Sequence, residues 1–283
     1  MPNVKSSSME DSFSKRLRRG DKLYGTLIVS SSPRWPEQIA KLGLDFVFID
    51  TEHIALDRSE LSWMCQTYKA LGLYPIVRIL SPDPFLATAA LDGGACGIVA
   101  PYVETADQAR ELMGAVKLRP IKGRKLKQFL EQAESPSPSL QAYLDASTAN
   151  NTLILNIESV EGIQNMNEIL EVKGVDGVLI GPHDLSCSLE IPEDYRHPKF
   201  DAAVRKIIQS TRQNGRGAGI HAIMGSKGLD LESAWIEAGA NFILHSADLI
   251  AAVDSLKSEF EILKAGDSDR NKTSEKPNES INI

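Results

Sequence analysis

Short β-rich apolar runs alternate with stretches of helical periodicity along most of this chain, and few folds accept that pattern. The runs fall at residues 24–29, 45–49, 74–79, 97–100, 152–157, 177–180, 217–221 and 241–244. Between most of them, apolar residues recur at three- and four-residue spacing: 35–42, 61–71, 84–91, 106–116, 160–169, 202–213 and 231–238. Glycines mark the joins, as in Leu42-Gly43-Leu44, Leu71-Gly72-Leu73 and Ala238-Gly239-Ala240. Eight such repeats predict an α/β protein of the (β/α)8 TIM-barrel type. A further helix over 249–263, with Leu, Ile, Val and Phe on one face, is expected at the C-terminus. A doubly wound sheet is the weaker alternative, because the first strand runs into Ser30-Ser31-Ser32-Pro33 and not into a glycine-rich phosphate loop.

The barrel is expected over residues 21–265, with a flexible segment at 1–20 carrying a short helix over 12–17, and a disordered polar tail at 266–283. The repeat is interrupted at 118–151, where Lys122-Gly123-Arg124-Lys125-Leu126-Lys127 precedes a Ser/Pro stretch and a helical piece near 140–144. This insertion is expected on the rim side, as a lid or a subunit contact. A net charge of −7 argues against a nucleic-acid partner, which requires a positive face. No run approaches the ~20 apolar residues of a membrane span. Cys65, Cys96 and Cys187 are odd in number and widely spaced, which fits free thiols in a reducing compartment and a cytoplasmic protein.

Chemistry-bearing residues cluster at strand ends. Glu158 and Asp184 lie just past the apolar runs ending at Ile157 and Ile180, and carboxylates on neighbouring parallel strands can share one hard divalent cation. Either acid alone is equally a cap for the helix that follows it. The run Phe46-Val47-Phe48-Ile49 leads into Asp50-Thr51-Glu52-His53, which brings an imidazole suited to general-base work to the same rim, with Asp50 placed to fix its tautomer. Glu52 is a candidate to support the water shell of a cation. Arg78 closes Pro75-Ile76-Val77, where a guanidinium calls for an anion, either a substrate oxygen or an internal acid such as Asp92 or Glu52. His183, His197, His221 and His245 are competing histidines; one of them, His183, is expected to orient its neighbour Asp184. The turn Gly181-Pro182-His183-Asp184-Leu185-Ser186 offers backbone N–H groups to a carboxylate.

Together these segments resemble the HpcH/HpaI aldolase family, metal-dependent class II pyruvate aldolases, with macrophomate synthase as a related branch. The resemblance runs over residues 25–263 and includes Leu91-Asp92-Gly93-Gly94-Ala95 and Asn156-Ile157-Glu158. It implies Mg²⁺, Mn²⁺ or Co²⁺ on Glu158 and Asp184, a 2-oxo acid held there, Arg78 on the developing enolate, and His53 with Asp50 as an acid/base dyad. Retro-aldol cleavage of a 4-hydroxy-2-oxo acid to pyruvate and an aldehyde is the implied reaction. A hexamer built from dimers that exchange their last helix is the implied assembly. Two departures bear on the acceptor: Asn156 stands where family aldolases commonly have Gln, and 122–127 replaces an Arg-Gly-rich segment. Oxaloacetate decarboxylation, acyl-CoA lyase chemistry and a non-catalytic barrel are the alternatives.

Overall fold

The computed structural model describes residues 11–265. Eight parallel strands close in sequence order into a barrel. They are β1 (Leu23–Ile28), β2 (Phe46–Asp50), β3 (Tyr74–Arg78), β4 (Gly97–Ala100), β5 (Thr152–Asn156), β6 (Gly177–Ile180), β7 (Gly217–Ala222) and β8 (Phe242–Ala247). The (β/α)8 expectation is borne out.

Alternation along each strand sorts its residues between two apolar layers. On β2, Val47 and Ile49 point outward to the helices, while Phe46 and Phe48 point into the barrel. The lower interior is aromatic, with Phe46 stacked on Phe242 at 4.4 Å and Phe13 on Tyr74 at 4.4 Å between centroids. On β7 the inward column reads Gly217, Gly219, His221. A Cβ at Gly217 would collide with Leu17, so glycine there is a matter of space. The same inward column then presents a polar side chain at the carboxyl end of the strand.

Phe13 and Leu17 belong to a helix, Phe13–Arg19, which closes the amino end of the barrel. The short helix expected over 12–17 is present here, and Phe13 and Leu17, four residues apart on one helical face, are both buried. Residues 1–10 and the expected tail at 266–283 lie outside the described residues.

The insertion 118–151 is also placed differently from expectation. It follows the helix Ala106–Lys117, which has already returned to the amino end of the barrel. Its anchors are there: Tyr74 at the start of β3 donates to Asn150 O, Asn151 Nδ2 donates to Val116 O, and Arg119 pairs with Asp92. Its helix Gly123–Leu130 packs Leu126 and Leu130 over Gly114 on the outside of the preceding helix. The basic patch is not a lid over the rim of its own barrel.

The last helix, Asp248–Ala265, starts where β8 ends but does not lie back on the barrel. Leu249, Val253, Leu256, Phe260, Ile262 and Leu263 are all exposed. Beneath its first turns an apolar cleft of about 600 Å³ opens between Trp35, Ile39, Leu44, Ile236 and Ile243. No helix among the described residues is long and apolar enough to cross a membrane.

Candidate active site

The barrel's carboxyl end carries a layer of polar side chains above its apolar middle. Asp50 and Arg78 face each other in the β2–β3 register. Arg78 donates from Nε to Asp50 Oδ1 (2.8 Å) and from Nη2 to Asp50 Oδ2 (2.6 Å), a bidentate pair with both residues buried. Burial pushes the Asp50 carboxyl up, but the hydrogen bonds and charge of Arg78 outweigh it and hold the group below the usual range. Arg78 Nε also lies 3.2 Å from Glu52 Oε2. The sequence offered Asp92 or Glu52 as internal partners for Arg78; the structure supplies Asp50 first and Glu52 second.

His53 sits beyond the end of β2 in a loop, with its side chain 47% exposed and open to a substrate. Its Nε2 is 3.7 Å from Glu52 Oε2. Asp50 is hydrogen-bonded to Arg78 and to the Glu52 backbone amide, and the carboxylate nearest the imidazole ring is Glu52. Glu52 is pushed up to about 7, chiefly by burial, with Arg78 opposing and the charges of Asp50 and Asp184 adding. A carboxyl that titrates near neutrality beside an imidazole is suited to proton exchange.

Across the barrel, Glu158 is buried just past β5, with Tyr102 N donating to Oε1 (2.8 Å) and Asn156 Nδ2 donating to Oε2 (3.0 Å). Asn156 Oδ1 has no partner. Gly181, just past β6, lies against Oε2, and any Cβ there would occupy the carboxylate's place. The capping alternative does not hold for Glu158, because Ser159 caps the following helix. Asp184 lies in the first turn of the helix Pro182–Ser188, where Oδ1 accepts from Tyr102 Oη at 3.1 Å. Burial first, and then the charge of Asp184, push Glu158 up to about 7. A buried carboxylate whose proton affinity is raised by burial and by a neighbouring acid calls for a positive charge beside it.

Among the described residues no group of three His, Cys, Asp or Glu converges on a metal-sized site. The pair itself fits a hard cation such as Mg²⁺, which takes one or two carboxylates and completes its shell with water or substrate oxygens. The cradle left by Gly181 and the opposed carboxylates are consistent with that donor set.

Other expected residues fall elsewhere. Pro182 has no N–H, so only the His183 and Asp184 amides precede the first intrahelical bond, Leu185 N to Gly181 O. The His183 ring is exposed, 3.7 Å from Glu193 and not against the carboxylate pair. Asp92 closes the helix Pro84–Asp92 at the amino end of the barrel and pairs with Arg119, so within this chain it does not support the site.

Two residues join the site that the sequence did not single out for it. Tyr102, two positions past β4, touches both carboxylates. Its signal was available: it follows a strand end at the same rim as the acids. His221, one of the competing histidines, is buried with its ring 5.6 Å from Phe48. Burial and the nearby Arg78 charge lower it to about 3, so it is a neutral imidazole, and its Nε2 has no partner.

The sequence model of the HpcH/HpaI aldolase/citrate lyase family matches residues 24–253. The chain belongs to this family. The resemblance read from the sequence is therefore borne out, and with it the assignment as a carbon–carbon lyase. A 2-keto-3-deoxy-L-rhamnonate aldolase of Escherichia coli O1:K1 / APEC is 30% identical over 254 residues, covering 90% of this chain and 93% of the relative. The crystal structure of citrate synthase SbnG superposes with a TM-score of 0.76 at 26% identity, over 91% of this chain and 99% of that one. Macrophomate synthase superposes with a TM-score of 0.70 at 26% identity, over 87% and 85%.

Proposed function

We propose that this lyase cleaves 4-hydroxy-2-oxo acids of the 2-keto-3-deoxy sugar-acid type to pyruvate and an aldehyde, and runs the reverse aldol addition. The observation that carries the reading is the pair Glu158 and Asp184 set just past the neighbouring strands β5 and β6 and bridged by Tyr102, with the Arg78 guanidinium near enough to Glu158 for their charges to interact. Glu158 and Asp184 would hold the divalent cation, Mg²⁺, Mn²⁺ or Co²⁺. When bound, it supplies the Lewis acidity that draws the electron pair of the breaking C–C bond toward the 2-oxo group.

The chain's own residues supply the rest. Asp50 holds Arg78 Nε and Nη2, which leaves Nη1 for the oxygen where negative charge develops. Because that pair is fixed before substrate arrives, the positive charge needs no reorganisation during the reaction. His53 takes the proton of the 4-hydroxyl as the C3–C4 bond breaks and the aldehyde forms. Glu52 beside it exchanges that proton, and the same imidazole returns one to C3 of the pyruvate enolate. The amides of His183 and Asp184 are offered to the substrate carboxylate. For the assembly, the exposed apolar face of Asp248–Ala265 and the apolar cleft at its base support a homodimer in which the last helices are exchanged, within a larger oligomer such as a hexamer.

The test is a substrate comparison on metal-stripped protein, with and without Mg²⁺ or Mn²⁺. Pyruvate release is followed from 2-keto-3-deoxy-L-rhamnonate and other 4-hydroxy-2-oxo acids, and carbon dioxide release from oxaloacetate. Metal-dependent pyruvate release from a hydroxy acid, at least about tenfold faster than decarboxylation (about 1.4 kcal/mol in the barrier), is expected. Decarboxylation alone would replace the aldolase reading with an oxaloacetate decarboxylase, and no turnover of any 2-oxo acid would end both.

A further inference from the structure

Tyr102 occupies a backbone conformation that its own side chain does not favour. Its φ is 51°, in the left-handed region, where a bulky residue is held only if its surroundings compensate. Core packing does not supply the compensation, because the residue is 44% exposed. Hydrogen bonds do. Tyr102 N donates to Glu158 Oε1, and the next amide, Val103 N, donates to Asn156 O at 3.3 Å, so the loop after β4 is tied to β5 at two consecutive positions. That conformation lets the phenol reach Asp184 beyond β6.

We propose that Tyr102 is a positioning residue for the cation site, with its amide holding the Glu158 carboxylate and its phenol holding that of Asp184. The inference rests on the reading of those two acids as the cation's ligands. The two contacts join elements that follow three successive strands, β4, β5 and β6. They spend one hydrogen bond on each carboxylate, and each carboxylate has further lone pairs to give. The phenol is a hydrogen-bond donor to Asp184 Oδ1, and so orients that carboxylate. Partners that orient metal-binding side chains in this way typically set affinity by about 10- to 100-fold.

A merely structural Tyr102 makes a different statement. The two amides would then continue the β4–β5 pairing, the phenol would be incidental, and removing its oxygen would leave cation affinity unchanged. The experiment is calorimetric titration of the metal-stripped full chain with Mn²⁺ alone, for wild type, Tyr102→Phe and Tyr102→Asn. Asparagine tolerates the left-handed conformation and is too short to reach Asp184, so it serves if the phenylalanine variant folds poorly. Both variants are expected to bind Mn²⁺ about 10- to 100-fold more weakly. In the steady state the Mn²⁺ activation constant should rise by the same factor, while kcat at saturating Mn²⁺ stays within about threefold of wild type. Unchanged Mn²⁺ affinity in either folded variant, with wild type binding normally, overturns the role of Tyr102 alone. A wild-type chain that binds no Mn²⁺ overturns the cation site and this inference with it.

Discussion

Glu158→Gln is expected to lower kcat/KM by at least about a thousandfold, on the order of 4 kcal/mol of transition-state stabilisation, and to leave the fold intact. The substitution keeps the shape and removes the charge. It also keeps the hydrogen bonding. The new amide oxygen accepts from Tyr102 N, and a flip of the Asn156 amide turns its unpartnered Oδ1 toward the new NH₂ group. Stability should move the other way from activity. Burial and Asp184 hold Glu158 near 7, above its unfolded value, so ionising it costs the folded state as pH rises through that window. At pH 8 the metal-free variant should therefore melt no lower than metal-free wild type. Mn²⁺ should raise the melting temperature of wild type and not of the variant, because only wild type binds it in the native state. Pyruvate release and thermal melts with and without Mn²⁺ check both parts. A variant that keeps activity, or that gains the same Mn²⁺-dependent rise, would contradict the assignment.

Arg78→Ala carries the second large effect, and here activity and stability fall together. Asp50 would be left buried with only the Glu52 amide for company, and breaking a buried pair from one side costs about 3–5 kcal/mol. The cost should depend on pH. In wild type the depressed Asp50 contributes stability that is present above the unfolded carboxylate value and is lost as pH falls through the folded one. In the variant, burial without the guanidinium raises Asp50, a cost present at neutral pH and removed by protonation. Both effects shrink the gap between the two proteins on acidification, so urea titrations should show a larger difference at pH 7 than at pH 4. The double substitution Asp50→Leu/Arg78→Leu removes both charges and should recover much of the stability while remaining inactive. An Arg78→Ala protein as stable as wild type at pH 7 would show that the pair does not hold the rim together.

Much of this was legible from the sequence, and the reason is periodicity. Strand alternation placed Asp50, Arg78 and Asn156 inward at the carboxyl ends, and Glu158 and Asp184 followed directly from the strand breaks. What periodicity does not reach is pairing beyond the strand end. His53 lies three residues past Asp50 in a loop, so its neighbour, Glu52, was decided by loop geometry. Tyr102 was missed for the same reason: its reach to Asp184 follows from a left-handed backbone that no residue pattern announces. The placement of 118–151 is a different case. A segment that follows a barrel helix is back at the amino end, so the chain order already excluded the rim. At the N-terminus, the spacing of Phe13 and Leu17 was a helical signal within an otherwise polar stretch, and burial followed it.

The chain's family is shown by its relatives, and the geometry adds which side chains meet: Asp50 pairs with Arg78, Glu52 lies beside His53, and Tyr102 touches both acids across the barrel.

The most direct measurement is deuterium exchange at the methyl group of pyruvate, followed by NMR on the metal-stripped protein before and after addition of Mg²⁺ or Mn²⁺. Exchange requires only the enolate half of the chemistry, so it needs no knowledge of the aldehyde. Exchange that depends on the cation is expected. Exchange that is equally fast in the stripped protein, or absent with every cation while the protein remains folded, would contradict it.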